Sequence, residues 1–138
     1  MYAGWSDKLS AVTGATNPVA GPYYNFTIPE PLGVVVITAA DSFIDFIDAI
    51  AAAVVSGNSV IALVSGGLSV PAMTFAEVLA TSDLPAGVIN ILTGSLDELA
   101  PWAASHMDVD GFDISAISKK KRTELKVAGA ENLKRIYS

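Results

Sequence analysis

Three short runs constrain this chain more than anything else in it: Gly33-Val34-Val35-Val36-Ile37-Thr38, Ser59-Val60-Ile61-Ala62-Leu63-Val64-Ser65 and Val88-Ile89-Asn90-Ile91-Leu92. Each is too short and too rich in β-branched residues to be a helix of ordinary length. The first two show no polar alternation, the pattern of a strand buried on both faces. Between them the period changes. Phe43, Phe46, Ile47, Ile50, Ala51 and Val54 recur at helical spacing and form one apolar stripe, with Asp45 and Asp48 off it. Asp41 or Ser42 stands where a cap belongs, and Ser56-Gly57-Asn58 where the helix should stop.

The unit repeats. Gly66-Gly67 leads into a helix that carries Pro71 in its first turn and runs to Ser82, and the loop from Asp83 feeds the third run, which ends at Gly94. A helix over 96–105, a turn at Met107 to Asp110, a weaker strand at Gly111 to Ser115, a helix over 119–132 and a strand at Leu133 to Tyr137 complete the pattern. Strands and helices that alternate through short connections predict an α/β fold. The expected form is a Rossmann-like, open, mainly parallel sheet of about five strands with flanking helices and right-handed crossovers. Residues 1–31 read differently. Tyr2, Trp5, Tyr23, Tyr24 and Phe26 gather there among turn residues, which predicts a short helix through Trp5 to Val12 and an extended aromatic edge or hairpin segment at Tyr23 to Ile28. The division expected is 1–31 for this N-terminal segment, suited to oligomerisation, and 32–138 for the sheet.

Ligands of open α/β sheets sit outside the carboxyl ends of the strands, which directs attention to Thr93 and Gly94. Neither GxGxxG nor GxxxxGK[ST] occurs. One histidine, His106, and no cysteine leave no multi-histidine or thiolate metal site and no catalytic thiol, so no metal is expected. Asp45 and Asp48 read as solvated helix acids, and Asp108, Asp110 and Asp113 as turn and capping residues. No nucleophile stands at a readable spacing from a base, so no catalytic residue is assigned.

Charge is segregated. Lys8 is the sole base in the first 118 residues against twelve acids, whereas Lys119, Lys120, Lys121, Arg122, Lys126, Lys134 and Arg135 fall in the last twenty positions. An acidic body repels a phosphate backbone, so no nucleic acid partner is expected. The most apolar window, Phe43 to Val64, is interrupted by acids and by Ser56-Gly57-Asn58-Ser59, which argues against a membrane span. The start MYAGWSDKLS lacks a basic stretch followed by an apolar one, and a cytoplasmic location is expected. A hydrophobic fraction of 51 % with only 16 % charged residues predicts apolar surface covered by another chain.

YAGWSDKL, EPLGVVVI, SGNSVIALVS, SDLPAGVINILTG, SHMDVDGFDIS and ENLKRIY, in that order, resemble the first part of the cofactor-binding domain of the NAD(P)-dependent aldehyde dehydrogenase superfamily. The GN before the second strand, the LPAGVINILTG loop, the DVD before the fourth and the NLKR near the end carry the resemblance. It implies an NAD(P) site at the strand ends, with Thr38, Leu63, Ser65, Gly94, Ser115 and Ala116 at the cofactor-binding positions. Several of these depart from the family pattern. Leu63-Val64-Ser65-Gly66 stands where the family's lysine-proline-x-glutamate holds the adenosine ribose. Ile114-Ser115-Ala116-Ile117 replaces the phenylalanine-threonine-glycine-serine turn that packs on the pyrophosphate. Thr38-Ala39-Ala40-Asp41-Ser42-Phe43 lacks the asparagine that helps bind the oxyanion, and the chain stops before the positions of the general-base glutamate and nucleophilic cysteine. The resemblance thus implies a non-catalytic assembly subunit, either a homo-oligomer or a partner of a catalytic aldehyde dehydrogenase-type chain. The alternative it implies is an NAD(P)-binding part, completed by another polypeptide, of an enzyme that oxidises an aldehyde to a carboxylic acid.

Overall fold

The computed structural model describes residues 1–39 and 41–138; Ala40, in the segment after the first strand, lies outside the described residues. The elements run α1 Tyr2–Trp5, α2 Leu9–Thr13, β1 Ala15–Asn17, β2 Asn25–Thr27, β3 Val34–Ala39, α3 Phe43–Val55, β4 Ser59–Val64, α4 Ser69–Ala80, β5 Ile89–Thr93, α5 Leu96–Ser105, β6 Gly111–Asp113, α6 Lys119–Ala130 and β7 Arg135–Tyr137. A turn of 3₁₀ helix, Gly66–Leu68, leads into α4. The main sheet is five-stranded in the order β5-β4-β3-β6-β7, and every neighbouring pair is parallel. This is the Rossmann-like fold expected from the pattern. Among the described residues no helix is long and apolar enough to cross a membrane.

Continuous apolar runs became the central strands because both of their faces are covered. On one face Ile37, Ala39, Val60, Ala62 and Val64 pack with Phe46 and Ile50 of α3 and Ala72 of α4. The opposite face joins Val36, Leu63, Phe112 and Ile114 to Leu96 and Ala100 of α5 and Leu125 of α6. Each large side chain buried in this way contributes about 1.5–3 kcal/mol. Ser42 caps α3, its hydroxyl accepting from the Asp45 amide at 3.2 Å.

Several boundaries differ from expectation, each for a local reason. The N-terminal helix is split in two, and its second piece ends at Gly14. Of the extended segment only Asn25–Thr27 is strand, and it pairs antiparallel with a β1 that the pattern did not reveal. Three-residue strands leave too few positions for a period to show. Strand β6 stops at Asp113 because the Asp113 carboxylate accepts the Ser115 amide and turns the chain. Strand β7 starts two residues late because Leu133 adopts a left-handed φ of 55°.

The approach to β3 is fastened by side chains. Asn58 Oδ1 accepts the amides of Leu32 and Gly33 at 2.6 and 3.0 Å, and its Nδ2 donates to the Ala53 carbonyl at 3.0 Å. Asp110 Oδ2 accepts the Val34 amide at 2.9 Å. Gly33 sits between them at φ 127°, where a β-carbon would lie 2.1 Å from that same carboxylate oxygen, so only glycine fits. Lys134 is buried at 8 % exposure and donates to the carbonyls of His106 and Val109. Burial pushes its pKa below the ordinary lysine value, and the nearby Asp110 charge opposes that fall.

Asn58→Ala removes three hydrogen bonds and is expected to lower stability by roughly 2–3 kcal/mol in urea unfolding. Asn58→Asp, which keeps the acceptor and loses the donor, should cost less. Folded Lys134 gives up its proton more readily than the unfolded side chain, so the unfolded chain binds more protons between the lowered pKa and 10.5. Stability therefore rises with pH across that window through this residue. Paired urea titrations over roughly pH 8 to 11 should show that rise in the native chain and lack it in Lys134→Met.

Candidate functional site

The chain leaves β3 in two directions, first through β4 to β5 and then back past β3 to β6 and β7. The carboxyl ends of β3 and β6 are therefore where the order reverses, and a crevice opens there. It is a cavity of about 210 Å³ with Thr38 and Ala39 from the end of β3, Asp41, Ser42, Asp45, Phe46 and Ala49 from the start of α3, and Asp113, Ser115 and Ala116 from the turn after β6.

Three of the six positions singled out in the sequence meet in this cavity: Thr38, Ser115 and Ala116. Thr38 is buried, and its hydroxyl donates to the Asp113 carbonyl at 2.9 Å. The Ser115 amide is taken up by Asp113 Oδ1 at 2.8 Å, and Ala116 brings a β-carbon to the lining. The other three lie elsewhere. Leu63 is buried at 3 % exposure on the α5 face, in a second, apolar cavity of about 300 Å³ with Ile61, Leu92, Leu99 and Trp102. Ser65 and Gly94 follow β4 and β5, where their amides donate to Ala39 and Val64 carbonyls at 3.3 and 3.0 Å and extend the sheet by one bond each.

What the sequence left unassigned is the acidity of the crevice. Asp41, Asp45 and Asp113 all line it, and among the described residues no basic side chain does. A phosphate charge brought to about 4 Å from one carboxylate near a protein surface meets roughly 4 kcal/mol of repulsion before screening. Asp41 and Asp45 are neighbours at the start of α3, but Asp113 lies far along the chain, and only the strand order brings it to them. The signal available was topological: residues just past the first and fourth strands of a 3-2-1-4-5 sheet face each other.

The basic run also finds places. Arg122 folds back so that Nε donates to the Ile117 carbonyl at 2.8 Å and Nη2 to the Ser115 carbonyl at 2.6 Å. Lys121 pairs with Asp97 of α5 at 2.8 Å on the surface, a contact of about 0–1 kcal/mol.

The sequence model of the aldehyde dehydrogenase family matches residues 1–137. This chain belongs to the aldehyde dehydrogenase family. It is 33 % identical to human retinal dehydrogenase 2 over 137 residues, which cover 98 % of the chain and 26 % of that relative. The corresponding figures for the cytosolic 1 aldehyde dehydrogenase of Rattus norvegicus are 31 %, 98 % and 27 %. Among solved structures, the NAD⁺ complex of a Bacillus cereus aldehyde dehydrogenase superposes with a TM-score of 0.86 at 24 % identity, across 98 % of this chain and 27 % of that one. The chain thus spans about a quarter of the length of these aldehyde dehydrogenases.

As an aldehyde dehydrogenase segment it keeps the frame closely while its strand ends carry their own chemistry. The residues do not fit a dinucleotide well. The crevice is lined by three carboxylates and, among the described residues, by no basic side chain, and the turn amide of Ser115 is already taken by the Asp113 carboxylate. Leu63 is part of the core. Leu63→Ala should destabilise the chain by roughly 2–4 kcal/mol, read from the shift in urea midpoint, with the strand order unchanged.

Proposed function

We propose that this chain is a non-catalytic, aldehyde dehydrogenase-like assembly subunit, which uses the family's sheet as a frame and associates with itself or with a catalytic chain of the family. The observation that carries this reading is the crevice itself, which sets Asp41, Asp45 and Asp113 around the place where an open α/β sheet would take an anionic cofactor. Apolar surface supports the assembly role. Tyr23 and Tyr24 of the N-terminal segment are 76 % and 75 % exposed, and Trp102 beside the apolar cavity is 74 % exposed. The Tyr24 ring stands 5.2 Å from that of Phe26, itself 51 % exposed, and contiguous apolar surface of this kind marks places that bind other surfaces. A cytoplasmic setting belongs to the same proposal.

A second reading has its own support. The fold is shared with a Bacillus cereus aldehyde dehydrogenase solved with NAD⁺, and the Thr38 and Ser115 positions keep hydroxyls at the crevice. In that reading the chain is the NAD(P)-binding part of an aldehyde-oxidising enzyme, and a further polypeptide supplies the thiolate and the oxyanion donor that such chemistry needs.

Calorimetric titration with NAD⁺, NADH and NADP⁺ separates the two. The assembly reading expects Kd values weaker than about 1 mM, equivalent to roughly −4 kcal/mol, and tighter binding would overturn it. Light scattering supplies the other arm: the expected particle is a multiple of the 14.3 kDa chain, and a clean monomer at high concentration counts against assembly with itself.

A further inference from the structure

We propose that Asp113 is the residue that keeps diphosphate ligands out of the crevice, its carboxylate occupying the Ser115 amide in the place of a phosphate oxygen. The inference rests on the reading that this crevice does not hold NAD(P), and it names the group responsible. Asp113 ends β6 and reaches forward two residues, with Oδ1 2.8 Å from the Ser115 nitrogen. A backbone amide facing a charged acceptor makes one of the stronger hydrogen bonds available to a protein.

The turn cannot easily offer that amide elsewhere. Thr38 holds the Asp113 carbonyl from the β3 side. Arg122 holds the Ser115 and Ile117 carbonyls from the α6 side, and the Ile117 amide closes onto the Ile114 carbonyl at 3.0 Å. A ligand phosphate would therefore have to displace a carboxylate that is already tethered and pays no association entropy. Asp41 and Asp45 add charge to the opposite wall, but both are exposed and neither bonds the turn. The three acids are consequently unequal, and Asp113 is the one that blocks a donor.

The experiment compares the native chain with Asp113→Ala, Asp113→Asn and the control Glu77→Ala, an exposed acid on α4. NAD⁺ and inorganic pyrophosphate are titrated into each by calorimetry, with urea midpoints as the check on folding. Asp113→Ala should bind both at least about tenfold more tightly than the native chain. Asp113→Asn, which keeps an acceptor on the amide without the charge, should gain less. Glu77→Ala, with the same change in net charge, should gain nothing. Folded Asp113→Ala and Asp113→Asn that bind as weakly as the native chain overturn the inference and leave the assembly reading standing. An equal gain in Glu77→Ala overturns it in favour of bulk charge. Tight NAD⁺ binding by the native chain overturns both.

Discussion

Everything in this structure depends on how the chain enters β3. A central parallel strand is flanked by two others, and the amides just ahead of it have no ladder to join. Asn58 and Asp110 take those amides from opposite sides, one carried by the turn before β4 and the other by the turn before β6. The two neighbours of β3 are thereby fixed against it at its entry, where the Ser59 and Asp110 amides also donate to the Gly33 and Val34 carbonyls at 3.0 and 2.9 Å. Lys134 extends the arrangement by satisfying the carbonyls of His106 and Val109 on the way to β7. Gly33 is the backbone condition for it, since any side chain there would collide with Asp110.

This explains which parts of the molecule were legible in the sequence. The β-branched runs and the apolar stripe of α3 report burial on two faces and on one, and burial is what built β3, β4 and α3. The family-marking GN, DVD and NLKR segments are Asn58, Asp110 and Lys134 with their neighbours, and all three fasten the amino-terminal end of the sheet. The resemblance was thus a report on the frame. Elements held by few residues are read less fully: β1 has no counterpart in the pattern, while β6 and β7 stand where the pattern puts strands but are cut to three residues each, below the length at which a period declares itself.

The crevice was only half legible. Leu63 and Ala116 could be flagged position by position, because a missing cation or an added β-carbon is visible in a string of letters. Their surroundings could not. Leu63 turned out to belong to the α5 core and a different cavity, and Asp113, taken as a turn residue, is both that and the partner of the Ser115 amide. Asp41 and Asp45 acquire meaning only when β6 is laid beside β3. Local chemistry can be spelled out in sequence, but a potential summed over separated carboxylates belongs to the topology.

Strand β3 has its polar joint at Val34 and its crevice at Thr38 and Ala39, at opposite ends of six residues, roughly 13–17 Å apart at the usual rise per residue. Groups so far apart that share no partner contribute to free energy almost additively. One end of the strand can therefore be rewritten without taxing the other. The Asn58 and Asp110 joint holds the sheet whatever the crevice carries, which makes the sheet a neutral carrier for redesign of that end.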